Sequence, residues 1–356
     1  MAGATAHRPD ATPDRREPLA VLKRWALSVP FDHFALAEHA SLAQEAESLG
    51  YTDAWSLEVD GIDCFTPLAV VGAATQMRLG TAIANVYTRG PATLAQTAAG
   101  LAEVAPGRFN LGIGTGSQPI VEMWNSGRFE KPATRVREMV AFLRAALAGE
   151  RVAFQGETFS VDGFRLSRPP SQPIPIHVAA LRAGMLRTAG EVADGCIINW
   201  LSAGDVKKSV AVVREAAAAA GRDASTVEIT ARLFVCVDPP SPESDLGRRR
   251  HINAYLNVPV YKTFHQWLGR GEALRGMWEA WDAGDRKGAV AAIPEDVVDE
   301  LVLAGPAEER NANVRRYLEA GVDTAVLHLL SFDRDPAVRR ERTLTAMREM
   351  APAAAR

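Results

Sequence analysis

The sequence predicts an α/β fold: a closed (β/α)8 barrel of parallel strands, each followed by a helix. Three observations predict it. Short apolar runs alternate with stretches of helical apolar spacing along almost the whole chain. Eight such strand–helix pairs can be read, the number that closes a barrel. Finally, residues 107–119, GRFNLGIGTGSQP, run a buried strand into a glycine-rich turn at its carboxyl end, where such barrels carry their sites. A doubly wound open sheet fits less well, because no dinucleotide-binding glycine pattern follows the first strand.

The elements follow in order. Lys23 to Pro30 reads as strand 1, stopped by proline, and Phe34 to Leu49 as a helix ended by Gly50. Strand 2 is Thr52 to Leu57, with a helix from Pro67 to Gln76, and strand 3 is Arg78 to Ala84, with a helix from Pro91 to Val104. Strand 4 is Arg108 to Ile113, and its helix, Arg135 to Ala148, is closed by Gly149. The alternation over Val152 to Leu166 suggests a hairpin beside the barrel, and Pro169-Pro170 a turn. Strands 5 to 7 are Ile174 to Ala179, Gly195 to Trp200 and Val227 to Val237, with helices Met185 to Ala193 and Val206 to Ala220 between them. Residues 239–294 break the rhythm with aromatic helical pieces and read as an insertion between strands 7 and 8. Two helices (Pro294 to Leu303, Pro306 to Ala320), strand 8 (Val322 to Leu329) and a last helix (Ala337 to Met350) complete the barrel. Residues 1–20, rich in Ala, Arg, Asp and Pro, read as a disordered tail, and 21–356 as one barrel domain.

Composition narrows the function. The chain has 356 residues and a net charge of -3, which argues against nucleic acid or an anionic membrane as the main partner. Its three cysteines are scattered, with neither disulfide nor metal spacing, and suit a reducing cytoplasm. No apolar run approaches the length of a membrane helix.

In a barrel the strand ends become the list of candidate site residues. That list holds no His/Asp/Cys cluster for a metal, no Gly-x-Ser-x-Gly elbow and no facing pair of carboxylates for a glycosidase. Backbone, Thr, Ser, Asn and apolar groups dominate, a lining that suits a large planar cofactor bringing its own reactivity. Glu58, after strand 2, reads either as a loop carboxylate or helix cap, or as a general acid or cofactor-positioning group. His33, after strand 1, reads either as a surface histidine or as a group reaching the mouth, and Asn85 as a turn residue or a site residue. His177, inside strand 5, reads as a packing histidine. Ala180, Leu181, Arg182, Ala183, Gly184 and Met185 join strand 5 to a helix, so their amides could hold an anion.

Several stretches resemble the bacterial luciferase-like superfamily, especially its branch using the deazaflavin coenzyme F420. They are residues 43–51 (AQEAESLGY), 79–91 (LGTAIANVYTRGP), 107–116, 179–195 (AALRAGMLRTAGEVADG), 255–261 and 293–298. The resemblance implies a dimeric barrel that moves a hydride between a flavin-like ring and a small substrate. By position it implies a non-prolyl cis peptide at Ala82-Ile83 backing the ring, with Asn85 beside it. Thr115, Gly116 and Ser117 would contact the deazaflavin and its side chain, and Ala180 to Met185 the phosphate and tail. Glu58 falls where relatives carry an acid near the ring. Val59 and Ser117 depart from the histidine and glutamate of the sugar-phosphate dehydrogenases of the family. The expected activity is therefore F420-dependent reduction of an activated C=C or C=N bond, with Glu58, His33 or water supplying the proton. Phe31, Trp124 and Trp200 are the candidate substrate contacts. An FMN-dependent monooxygenase and a non-catalytic flavin-binding barrel are the alternatives.

Overall fold

The computed structural model describes residues 23–352; the predicted tail, residues 1–20, lies outside them. The strands are β1 (Arg24–Val29), β2 (Asp53–Ser56), β3 (Arg78–Thr81), β4 (Ala84–Asn85), β5 (Phe109–Gly114), β6 (Val152–Gln155), β7 (Ser160–Phe164), β8 (Ile176–Ala179), β9 (Gly195–Asn199), β10 (Glu228–Cys236), β11 (Val302–Leu303) and β12 (Thr324–Leu330). Pairing runs β1–β2–β3–β5–β8–β9–β10–β12, and β12 returns to β1, all in parallel, so the sheet closes. β4 continues the line of β3 past the Ala82-Ile83 peptide, which is cis, and pairs Asn85 with Gly114 of β5. The hairpin predicted over Val152 to Leu166 is the antiparallel pair β6–β7.

The helices on the outside are α1 (His39–Ser48), α2 (Thr66–Ala74), α3 (Pro91–Val104), α4 (Pro132–Leu147), α5 (Ala183–Val192) and α6 (Ala203–Ala219). The insertion is four helices, α7 (Pro242–Leu256), α8 (Pro259–Leu268), α9 (Arg275–Asp282) and α10 (Arg286–Ala291). They are followed by α11 (Glu295–Leu301), α12 (Ala307–Glu319) and α13 (Pro336–Glu349). Most boundaries shift by one to three residues, strand 3 is split into β3 and β4, and at one boundary the type of element changes. The helix read as ending at Leu303 stops at Leu301, because the β-branched and apolar pair Val302-Leu303 turns to hydrogen-bond the free edge of β10 beyond β9.

Alternation along each strand sorts side chains into two compartments. Outward residues such as Leu27, Val29, Leu233 and Val235 form the main core against the helices. Inward ones fill the barrel: Ala26, Trp55, Ile197 and Val326 pack together under Ala82, Ile83 and Ala179. Gly112 lets β5 lie close to β3, since a Cβ there would collide with the Thr81 carbonyl oxygen. A charged layer closes the barrel floor. Arg78 donates to Asp53, to both oxygens of Glu228 at 2.7 and 2.6 Å, and to Thr324 at 2.8 Å. His177 is buried in this interior beside Trp55, as its place in the strand suggested. A second apolar cluster lies under the insertion, built from Trp200, Phe234, Ile252, Leu256, Met277 and Trp278 among others.

Candidate active site

The carboxyl ends of β2, β4, β5 and β8 lie side by side and bring most of the predicted residues together. Glu58 leaves the end of β2 and is held by Arg89, whose Nε lies 3.2 Å from each carboxylate oxygen and whose Nη2 also donates. Arg89 packs over the Phe65 ring at 4.9 Å and lies 3.7 Å from Asp63. Oε2 of Glu58 also faces the Asn85 amide at 3.5 Å. Asn85 is buried, and its Oδ1 accepts from the Tyr87 amide at 2.8 Å. The carboxylate is thus fixed on the rim, one strand from the Ala82-Ile83 peptide.

Gly116 has φ +60, and a Cβ there would collide with Nδ2 of Asn85. Only glycine keeps both the left-handed turn and the surface open. Thr115 and Ser117 flank it, half-buried. On the neighbouring strand, Ala180 is buried and its amide donates to the Ile197 carbonyl at 2.9 Å. Arg182 is the N-cap residue of α5, and its carbonyl accepts from the Leu186 amide at 2.9 Å, the first bond of that helix. The amides of Ala183, Gly184 and Met185 are therefore left for a ligand. Gly184 is exposed with nothing within 4 Å of where a Cβ would stand.

Other candidates sit elsewhere. The Phe31 ring is not at the mouth: it continues the outward face of Leu27 and Val29 and packs between β1 and α1, 6.1 Å from Phe34 and 5.8 Å from His39. His33 is exposed, with Nε2 2.8 Å from Arg339 Nη1 of α13 and its carbonyl accepting from Arg340 at 2.8 Å. Trp124 ends a π-helical turn, Ile120–Trp124, and is exposed beside Met123. Trp200 is buried, with its ring 4.1 Å from Phe234 and 4.7 Å from Tyr255, so it is a wall of the insertion's aromatic cluster.

The structure adds residues that strand ends alone did not reveal. Arg232 and Phe234 of β10 and His328 of β12 point inward beneath the insertion, with His251 and Tyr255 of α7 and Tyr261 of α8 above them. Strand alternation was the signal: Arg232 and Phe234 share a face, and His328 shares one with Val326. Burial, then the Arg232 charge, pushes the His251 imidazole down to about 4. The same two causes, with His251 added, hold His328 well below the usual range. Burial and then Arg270 push His265 of α8 down to about 3.

These depressed histidines make a stability prediction. In the fold they hold fewer protons than in the unfolded chain at any pH between their folded values and the ordinary 6.5. Stability is therefore intact above that window and falls as pH drops through it, by up to about 1.4 kcal/mol per pH unit for each group. The melting temperature is expected to fall by about 5 °C or more from pH 7 to pH 5. His251→Phe should remove part of that slope, as paired thermal melts would show.

Among the described residues no group of three or more His, Cys, Asp or Glu could hold a metal ion. Likewise, no helix is long and apolar enough to cross a membrane. The mouth is instead a cradle of backbone and small residues.

Similarity to known proteins agrees with this architecture. The model of the family described as luciferase-like monooxygenase matches residues 8–324. A 5,10-methylenetetrahydromethanopterin reductase of Methanolobus tindarius is 32% identical over 293 residues, covering 81% of this chain and 88% of its own. A putative coenzyme F420-dependent oxidoreductase of Mycobacterium tuberculosis is 26% identical over 315 residues, covering 81% of this chain and 90% of its own. Among solved structures, a coenzyme F420 dependent tetrahydromethanopterin reductase from Methanopyrus kandleri superposes with a TM-score of 0.74 at 22% identity, covering 93% of this chain and 98% of its own. The match over most of the chain and the closed barrel lead to one conclusion: the protein belongs to the luciferase-like family.

Proposed function

We propose that the protein is a coenzyme F420-dependent oxidoreductase, working as a reductase on a small organic substrate with an activated C=C or C=N bond. One observation carries the reading. Three adjacent strand ends present the Ala82-Ile83 backbone, the open Gly116 turn and the free α5 amides side by side, a surface made for a large flat ligand with an anionic tail. The relative from Mycobacterium tuberculosis, named for coenzyme F420, supports the same choice of cofactor.

Ala82, Ile83 and Asn85 would support the ring, Thr115 to Ser117 its side chain, and Ala180 to Met185 the phosphate. Bound there, the deazaflavin supplies hydride chemistry that no side chain of the protein can. The rest falls to the protein's own groups. Arg89 fixes the Glu58 carboxyl at the rim, where Oε2 is set to hold or hand on the proton that balances a hydride. The insertion, packed over Phe234 and Trp200, would form the far wall of the mouth.

Glu58→Gln keeps the shape of the rim and removes the proton carrier. Turnover with reduced coenzyme is expected to fall by ~10²-fold or more, with cofactor affinity little changed. Re-oxidation of the reduced coenzyme, followed by absorbance against a panel of enones and imines, measures this. Rapid oxygen uptake with reduced FMN, and none of these reductions, would contradict the reading and favour a monooxygenase.

A further inference from the structure

Arg232 is a cation deep in the barrel that the fold itself does not neutralise. Its chain neighbours Ala231 and Leu233 pack outward in the main core, so its side chain enters the barrel. Only 7% of the residue is exposed, and Nε has no hydrogen-bond partner. No carboxylate among the described residues lies within ion-pairing distance of it; Asp32, the acid that acts on it electrostatically, is an exposed rim residue. The contrast with Arg78 is direct, since that inward arginine is matched by Asp53 and Glu228. A desolvated cation without a counter-ion is costly, and such a charge persists where a ligand completes it.

The surroundings describe that ligand. The guanidinium carbon lies 5.0 Å from the Phe234 ring centre, and the Trp200 ring packs tilted against Phe234 at 4.1 Å. Tyr255 and Tyr261 of the insertion pack against Trp200, Tyr255 also against Phe234, and both act on the guanidinium electrostatically. His251 and His328 stay neutral beside it and add no charge. One positive charge between aromatic walls suits one negative charge on a flat body. A phosphate dianion would leave excess charge buried. The planar fork of a guanidinium matches a carboxylate in two parallel hydrogen bonds.

We propose that the substrate is a planar, unsaturated monocarboxylic acid whose carboxylate pairs with Arg232 beneath the insertion. Its role as substrate rests on the oxidoreductase reading above; the anion site does not.

The test uses the full-length protein without added cofactor. Benzoate and cinnamate are titrated against their neutral partners benzamide and cinnamamide, with quenching of tryptophan fluorescence as the readout. The acids are expected to bind at least ~10-fold more tightly than the amides. Arg232→Gln should abolish that preference while amide affinities stay within about twofold, and Arg232→Lys should keep only part of it. Arg232→Met should hold or raise the melting temperature, because it removes an unmatched buried charge. Acids and amides binding alike in the wild type, a preference that survives Arg232→Gln, or a large fall in the melting temperature of Arg232→Met would each overturn the site. Coenzyme F420 binding by Arg232→Gln is expected to be unchanged; its loss would assign the arginine to the cofactor and overturn the proposal. A wild type that prefers the acids yet does not bind coenzyme F420 would sink the oxidoreductase reading and leave the anion site standing.

Discussion

Arg78→Leu is expected to cost about 3–5 kcal/mol of stability, the largest loss expected of any substitution here. Arg78 sits at the start of β3 and is the common partner of three other strands: Asp53 on β2, Glu228 on β10 and Thr324 on β12. Asp53 is fully buried, and after the change its remaining cationic neighbour is Arg24 at 3.5 Å. Burial, the largest single influence, would push the Glu228 carboxyl up, but the Arg78 hydrogen bonds and charge, together with His177 and the Thr324 hydroxyl, outweigh it and hold the group down to about 2. Leucine would take the main counter-ion from both floor carboxylates, leaving Asp53 only the longer contact to Arg24, and one or both would have to take up a proton to fold. A drop of about 4–7 °C in melting temperature at pH 7 is the expected result, shrinking as pH falls towards the carboxylate range. A change of less than about 2 °C would show that the floor network is dispensable.

Gly116→Val carries the second large effect, and it falls on binding instead of folding. The residue is exposed at a strand end, so little core depends on it. Its φ of +60 is strained for a β-branched residue, and the new Cβ would press on Asn85 Nδ2. Two methyl groups would also stand on the surface proposed to receive the cofactor. Coenzyme F420 affinity is expected to fall by ~100-fold, about 3 kcal/mol, while the melting temperature moves by only a few degrees. Isothermal titration of wild type and variant decides this. Equal affinities would mean that the β5 turn does not touch the cofactor.

How far could the residues alone reveal these features? Apolar runs of strand length, punctuated by Gly50, Gly149 and Gly221, made the barrel readable, because period-2 and period-3.6 patterns are local. The Gly114–Thr115–Gly116 turn was readable for the same reason. The cis peptide at Ala82-Ile83 was implied by resemblance only, as nothing in Ala-Ile itself calls for it. The floor network was hidden, since Arg78 meets Asp53 and Glu228 from 25 and 150 residues away, and local pattern is silent on such pairs. Arg232 and His328 lie within strands, where no strand-end signal marks them. Phe31 misled in the opposite sense: it follows a strand end, but alternation from Leu27 and Val29 puts it on the outer face. Val302-Leu303 looked helical because apolar residues extended the pattern of α11, and a free stretch of β10 edge, a tertiary feature, claimed them.

The mouth between β4, β5 and β8 is proposed above as a coenzyme F420 site. Its most direct test is parallel titration of the wild-type protein with oxidised coenzyme F420 and with FMN, followed by tryptophan fluorescence. Saturable, tight binding of coenzyme F420 with weak or no binding of FMN is the predicted result. Tighter binding of FMN, or binding of neither, would contradict it.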